Sequence, residues 1–202
     1  MNPKVGAASR TRAAVLISGR GSNMTALLKA ARDPAYPAEI ALVLSNNPDA
    51  PGLELARAAG VEAVAIDHRL FAGDRQAHER AIDAALRARG VQLAALAGYM
   101  RVLTPFLVNA WTGRMLNIHP SLLPRHPGLH THRRALEAGD AEHGATVHLV
   151  TEGVDQGPIL AQARVPVLPG DDEQTLAARV LEAEHRLYPA ALGDYARRLA
   201  AL

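Results

Sequence analysis

The stretch AAVLISGRGSNMTALLKAA, residues 13–31, decides how the chain begins to fold. It opens with an apolar run of strand length. Gly19 and Gly21 then interrupt the run, and helix-forming residues follow from Met24. The stretch therefore predicts a strand, a tight turn and a helix, which together are the opening unit of an α/β fold.

The same alternation of apolar runs and helical patterns continues along the chain as far as residue 119. We predict five strands, at residues 13–18, 40–45, 62–66, 92–97 and 115–119. Four helices are predicted between them, at residues 24–31, 52–59, 74–89 and 105–110. Strands that are apolar on both faces and separated by helices favour a doubly wound, mostly parallel sheet with helices on both faces. Ligands of such sheets bind beyond the carboxyl ends of the strands.

The pattern changes after residue 120. The segment PSLLPRHPGLH, residues 120–130, is a loop by its proline content, and residues 131–138 follow as a short helix. Two further strand patterns, at residues 145–153 and 157–168, are joined through a turn that contains Asp155.

The tail of the chain, residues 173–202, is mostly helical by its pattern, and Pro189 is expected to break that helix. No linker or internal repeat interrupts the sequence. We therefore expect one domain over residues 1–202, with residues 1–12 lacking fixed structure.

Composition limits the classes of function. The chain has no cysteine, which excludes disulfides, thiolate nucleophiles and zinc–thiolate sites. A formal net charge of +2, without any cationic run, argues against a nucleic-acid platform. No apolar run reaches the length of a signal peptide core or a membrane span. We expect a cytoplasmic protein that acts on small molecules. No pattern encodes the oligomeric state, so a homodimer stays open.

The turn SGRGSN, residues 18–23, is here called the glycine elbow. Gly19 and Gly21 fit the first two positions of a dinucleotide-binding motif, but Met24 stands where the third glycine belongs. A glycine turn at a helix N-terminus suits a single phosphate, with Ser22 and Asn23 as side-chain donors. The alternative is an ordinary tight turn in which Ser22 or Asn23 caps the helix.

Asn117 and His119 lie two residues apart on a predicted strand, so both side chains point to the same face at its carboxyl end. An amide donor beside an imidazole is suited to stabilising an oxyanion and moving a proton. A purely structural histidine is the alternative. Asp155 would fix the tautomer of His119 if the two met, and would otherwise be a turn residue.

A cluster of histidines raises a metal hypothesis. His126, His130, His132 and His143 would chelate together with Asp140 or Glu142. The cluster lies in a proline-rich loop and has no tight ligand pair on a rigid element. We therefore predict no metal.

Four segments carry a resemblance: ISGRGSNMTALL (17–28), AGYMRVLTPFLV (97–108), LNIHPSLLPRHPGLHTHRRALEAGDAEHGATVHLVTEGVDQGPIL (116–160) and EAEHRLYP (182–189). They resemble the folate-dependent formyltransferases, and within them the glycinamide ribonucleotide formyltransferases of purine synthesis. The segment Asn-x-His-Pro-Ser-Leu-Leu-Pro is highly specific to that superfamily. Methionyl-tRNA formyltransferases carry an additional C-terminal domain and formyltetrahydrofolate deformylases an additional N-terminal one, and the pattern here predicts neither.

The resemblance implies a Rossmann-like formyltransferase fold and a role for each matching position. The implied ribonucleotide-binding residues are Gly21, Ser22, Asn23, Leu181, Glu182, Ala183 and Glu184. The implied folate-binding residues are Arg75, Met100, Arg101, Val102, Leu103, Asn117, Thr151, Glu152, Gly153, Val154 and Asp155. The implied catalytic residues are Asn117, His119 and Asp155. Residues 13–110 would then form a phosphate-binding half and residues 111–202 a catalytic and folate-binding half.

The resemblance also implies the reaction. The amine of glycinamide ribonucleotide attacks the formyl carbon of the co-substrate 10-formyltetrahydrofolate, and negative charge develops on the formyl oxygen. Asn117 and a protonated His119 donate hydrogen bonds to that oxygen, while Asp155 keeps His119 charged. No metal takes part. The alternatives are a formyltetrahydrofolate deformylase, another folate formyltransferase, a nucleotide-binding module without catalysis and a metal-dependent nucleotide hydrolase.

Overall fold

The computed structural model describes residues 10–201, which form a seven-stranded sheet covered by helices. The strands are β1 (Thr11–Ile17), β2 (Ala38–Ser45), β3 (Ala63–Ala65), β4 (Leu93–Leu96), β5 (Met115–His119), β6 (Glu142–Leu149) and β7 (Ile159–Pro166). The helices are α1 (Ser22–Ala31), α2 (Pro51–Ala58), α3 (Arg75–Ala88), α4 (Pro105–Ala110), α5 (Thr131–Glu137) and α6 (Glu173–Ala200). Within residues 10–201, no helix combines the length and the apolar character needed to cross a membrane.

The strands are arranged in the order β3-β2-β1-β4-β5-β6-β7. Strands β1 to β5 pair in parallel, and β6 and β7 extend the sheet in antiparallel pairings. The chain winds outward from β1 to β3 and then continues on the other side of β1. The point where its direction reverses therefore lies between β1 and β4, the place where open α/β sheets bind ligands. The predicted doubly wound, mostly parallel sheet is confirmed.

The apolar residues of β1 divide between the two faces of the sheet, because successive side chains of a strand point to opposite sides. Ala13, Val15 and Ile17 pack with helices α1, α2 and α6 on one face. Ala14 and Leu16 pack with α3 and α4 on the other. This double burial explains why the strand has no polar face between residues 13 and 17.

Helix α6 is continuous, so the expected break at Pro189 is wrong. A proline removes one backbone donor and crowds the preceding turn. Here the residues on either side of it are held by packing, since Tyr188 and Leu192 are fully buried against the sheet. The hydroxyl of Tyr36 also donates to the carbonyl of Pro189, at 2.7 Å. Tertiary contacts thus outweigh the local preference.

The first described residues are ordered, which corrects part of the expectation for residues 1–12. The guanidinium of Arg10 donates to the carbonyls of Tyr36, at 2.9 Å, and Ala31, at 2.6 Å. Strand β1 already begins at Thr11. The expectation for residues 1–9 lies outside the described residues, as does Leu202.

Tyr188 connects α6 to the centre of the sheet, and its hydroxyl faces the carbonyls of Leu96, at 2.9 Å, and Leu116, at 3.3 Å. We expect Tyr188→Phe to lower the free energy of unfolding by about 1 kcal/mol, because it removes the buried hydrogen bonds of the hydroxyl while keeping the ring. Denaturant unfolding measures the loss. The matched control is Tyr195→Phe, which removes a hydroxyl bonded to Gly113 at a half-buried site and should cost less. A Tyr188→Phe protein with the same free energy of unfolding as the wild type would contradict the expectation.

Candidate active site

A cavity of about 550 Å³ opens beside the carboxyl ends of β4 and β5. Its wall consists of the end of β5, the segment after β4, the segment 128–132 and the loop 150–155. Eleven of the residues predicted to bind folate or act in catalysis line it: Met100, Arg101, Val102, Leu103, Asn117, His119, Thr151, Glu152, Gly153, Val154 and Asp155. The structure therefore brings together side chains that lie more than fifty positions apart in the sequence.

The segment after β4, residues 97–104, is held by groups that the sequence did not reveal. The N–H of Met100 donates to the hydroxyl of Ser18 at 2.8 Å. At its far end, Thr104 donates its backbone N–H to the buried carboxylate of Glu79, at 2.7 Å. Arg75, the first residue of α3, reaches the Val102 carbonyl at 3.5 Å but does not line the cavity. A contact between Arg75 and folate stays a prediction.

His119 and Asp155 form a buried pair in the cavity wall. The Nδ1 atom of His119 lies 3.4 Å from Oδ2 of Asp155. Its other ring nitrogen, Nε2, lies 3.0 Å from the backbone carbonyl of His126. The N–H of Gly128 donates to the same Oδ2 atom at 2.8 Å. Both nitrogens of the imidazole thus face acceptors, which fixes the orientation of the ring.

Burial lowers the pKa of His119, and the His126 carbonyl and the Asp155 carboxylate oppose this shift without overcoming it. Asp155 favours the charged form of His119, as expected, but burial outweighs it, so the net shift of the pKa is downward. A neutral ring has one N–H, and the contact with a carbonyl assigns that hydrogen to Nε2. Nδ1 is then free to accept a proton beside Asp155.

His148 is a member of the site that the sequence reasoning missed. It stands opposite Asn117 in the pairing of β5 with β6, and the Asn117 amide donates to its Nε2 atom at 3.2 Å. The same Nε2 atom lies 3.6 Å from Oδ1 of Asp155. The only sign of His148 in the sequence is a polar residue within an apolar strand. The sequence does not show that it faces Asn117, because that depends on the pairing register of β5 and β6.

The pKa of Asp155 is lowered in spite of its burial. Burial by itself raises the pKa, but the contacts with His148, with the Gly128 N–H and with His119 together outweigh it. Asp155 itself has a φ of 54°, in the left-handed region that non-glycine residues rarely adopt. The backbone bends there so that the carboxylate points inward. The loop 150–155 thus places the charged carboxylate of Asp155 between the imidazole rings of His119 and His148.

The glycine elbow forms the N-terminus of α1. Gly21 is the N-cap with a φ of 71°, and no side chain caps the helix, so capping by Ser22 or Asn23 is wrong. The Asn23 amide instead donates to the carboxylate of Glu184 on α6, at 3.0 Å. Among residues 10–201, the buried Oδ1 atom of Asn23 has no hydrogen-bond partner. The elbow therefore presents backbone donors suited to an anion, next to Glu184.

Three histidines of the cluster make side-chain contacts in two separate pairs, one with another histidine and one with Asp140. Nδ1 of His132 lies 3.2 Å from Nε2 of His143, and Nε2 of His126 lies 2.7 Å from Oδ2 of Asp140. Burial lowers the pKa of His143 to about 4. In the part of the chain that the structure describes, no three His, Asp or Glu side chains are grouped so that they could hold a metal ion.

Burial raises the pKa of Glu184 from 4.5 to about 7, although the bond from Asn23 opposes the shift. The folded protein therefore binds a proton that the unfolded chain has already released between these pH values. Its free energy of unfolding should fall as the pH rises from 4.5 to about 7, by roughly 3 kcal/mol. We expect Glu184→Gln, which is neutral at every pH, to lack this decline.

Denaturant unfolding at pH 5 and pH 8 tests this expectation. The matched control is Glu182→Gln on the exposed side of the same helix, which should follow the wild type at both pH values. Equal pH dependence in wild type and Glu184→Gln would contradict the raised pKa.

Comparison with known sequences identifies relatives over most of the chain. Residues 11–192 match the model of the formyl transferase family. Phosphoribosylglycinamide formyltransferase of Escherichia coli (strain K12) is 46% identical over 185 residues, which are 90% of this chain and 85% of that protein. Trifunctional purine biosynthetic protein adenosine-3 of Drosophila melanogaster is 51% identical over 185 residues, 91% of this chain but only 14% of that protein.

Solved structures agree with the sequence relatives. Phosphoribosylglycinamide formyltransferase from Brucella melitensis superimposes with a TM-score of 0.89 at 55% identity, covering 93% of this chain and 96% of that one. Glycinamide ribonucleotide transformylase 1 from Symbiobacterium toebii superimposes with a TM-score of 0.91 at 46% identity, covering 98% and 92% of the two chains. The resemblance found in the sequence is confirmed, and the chain belongs to the formyl transferase family.

Proposed function

We propose that this protein transfers the formyl group of 10-formyltetrahydrofolate to the amine of glycinamide ribonucleotide. The observation that carries the proposal is the wall of one cavity, in which Asn117 and the buried His119–Asp155 pair stand together. Relatives at 46% and 55% identity that are named phosphoribosylglycinamide formyltransferase support the choice of substrates.

The two substrates would occupy different parts of the site. The phosphate of the ribonucleotide fits the N-terminus of α1 at the glycine elbow, where backbone donors are available. The pterin of the folate fits the cavity, whose rim carries exposed apolar side chains. These are Met100, Val102, Leu129 and Val154. The reacting groups would meet at Asn117 and His119, where β5 ends.

The proposed chemistry forms one bond and breaks another. The amine nitrogen of the ribonucleotide bonds to the formyl carbon, and the bond between that carbon and N10 of the folate breaks. Negative charge builds on the formyl oxygen, where the Asn117 amide donates a hydrogen bond. The proton lost by the amine passes to N10. The His119–Asp155 pair holds that proton in transit, because the carboxylate stabilises the imidazolium.

The remaining properties are proposed with this activity. Small-molecule substrates, rather than nucleic acid or membrane, are the partners that we infer, and the reaction needs no metal. The cytoplasmic location stays a prediction from the sequence, as does the open question of a homodimer. Formyltetrahydrofolate deformylase is the second candidate function, since the same cavity would serve if water replaced the amine.

A transfer assay tests the proposal directly. The protein is mixed with glycinamide ribonucleotide and 10-formyltetrahydrofolate, and the deformylated folate is followed by absorbance. A reaction without acceptor measures deformylase activity, and methionyl-tRNA serves as a competing acceptor. We expect turnover only with the ribonucleotide, unchanged after dialysis against a chelator. Equal turnover without acceptor would overturn the proposal in favour of a deformylase.

Gly21 sits in the left-handed region, and a Cβ atom there would stand 3.1 Å from Cε of Met24. We expect Gly21→Val to raise KM for the ribonucleotide and to leave folate binding unchanged, because the branched side chain blocks the anion and penalises the positive φ. Steady-state kinetics measures KM, and calorimetric titration with each substrate separately measures binding. Equal weakening of both substrates would indicate general misfolding instead.

Asp155 is one of the groups that raise the pKa of His119 against burial. We expect Asp155→Asn to lower that pKa further and to reduce turnover by roughly 10²–10⁴-fold, the usual range for a lost acid–base contribution. KM for the ribonucleotide should stay nearly constant. Turnover as a function of pH, together with NMR of the His119 ring, measures both effects. Asp194→Asn on the exposed side of α6, away from the cavity, is the matched control. Near-normal turnover of Asp155→Asn would reduce Asp155 to a turn residue.

A further inference from the structure

The loop 125–130 contacts both members of the His119–Asp155 pair through its backbone. The carbonyl of His126 faces Nε2 of His119 at 3.0 Å, and the N–H of Gly128 donates to Asp155 at 2.8 Å. These two backbone groups lie only two residues apart. The conformation of this loop therefore sets the positions of the imidazole and of the carboxylate together.

That conformation is one that most residues avoid. His126 has a φ of 51° and His130 a φ of 57°, both in the left-handed region, and the glycine between them has a φ of 77°. Two non-glycine residues in this region within five positions need contacts that hold them there. One such contact is the bond from Arg134 to the Pro127 carbonyl, at 2.5 Å.

The second contact involves the side chain of His126, which bonds to Asp140 and does not line the cavity. Its Nε2 atom lies 2.7 Å from Oδ2 of Asp140, and both side chains are mostly buried, with 13% and 18% exposed. Two other groups with ionisable side chains face this pair. The guanidinium of Arg125 is 3.9 Å from the other carboxylate oxygen, and the ring of His143 meets that of His126 edge to face.

We propose that His126 and Asp140 are positioning residues for formyl transfer, and we call their contact the loop latch. The latch holds the His126 carbonyl against His119 and the Gly128 N–H against Asp155. Neither side chain lines the cavity, so both act through the backbone of the loop. The inference rests on the proposed function for its consequence in catalysis, but its geometry concerns the free protein.

Variants of the latch separate the side-chain contact from the backbone conformation. Asn tolerates the left-handed region, so His126→Asn keeps that preference, but its shorter side chain cannot reach Asp140. Asp140→Ala removes the acceptor, whereas Asp140→Asn keeps an oxygen that can still accept the bond. The matched control is Arg125→Ala, which removes only the longer contact to Asp140.

We expect His126→Asn and Asp140→Ala each to lower kcat by roughly 10- to 100-fold, because a small displacement of positioned groups costs this much. KM for both substrates should stay within about twofold. The double variant should be no slower than the slower single variant, since both changes remove the same contact. Asp140→Asn and Arg125→Ala should stay near the wild type.

The second measurement needs no substrate. NMR titration of the His119 ring should give a lower pKa in His126→Asn and Asp140→Ala, because the ring loses a carbonyl that favours its charged form. An unchanged His119 titration in both variants would overturn the latch, and so would additive losses of kcat in the double variant. A wild-type protein that fails to formylate glycinamide ribonucleotide would overturn the proposed function instead, and the NMR result would still decide on the latch.

Discussion

The buried carboxylate of Asp155 is the group on which the rest of the site depends. Three separate parts of the chain contact it: His119 at the end of β5, His148 on β6 and the N–H of Gly128 in the loop between them. A charge in such a place is stable only where several groups compensate for its lost hydration. The carboxylate can therefore be buried only when β5 has paired with β6 in the native register and the loop 125–130 has its native conformation.

Burial acts in different directions on the ionisable groups of the site. It lowers the pKa of His119, while the contacts of Asp155 keep that carboxyl group below its ordinary pKa. Beside the glycine elbow, burial raises the pKa of Glu184 to about 7. Burial thus favours the neutral form of His119, and its contacts favour the charged form of Asp155, which is the combination that a group accepting a proton during the reaction requires.

Helix α6 and the switch point of the sheet join the two ends of the site. The elbow follows β1 and the cavity lies beside β4 and β5, so both are at the same edge of the sheet. Glu184 ties α6 to Asn23 of the elbow, and one turn later Tyr188 ties the same helix to β4 and β5. The distance between the glycine elbow and the His119–Asp155 pair is thus set by rigid elements rather than by loops.

The sequence by itself determined the doubly wound sheet, the elbow and the places of Asn117 and His119, because these depend on local periodicity and on strand alternation. Its resemblance to known formyltransferases also identified the family. Only the tertiary structure decided that α6 continues through Pro189 and that Asn23 bonds to Glu184 rather than capping α1. It alone placed His148 opposite Asn117 and the His126 carbonyl against His119. The direction of the His119 pKa shift depends on how completely the ring is buried, and burial results from contacts among distant residues that no local pattern encodes.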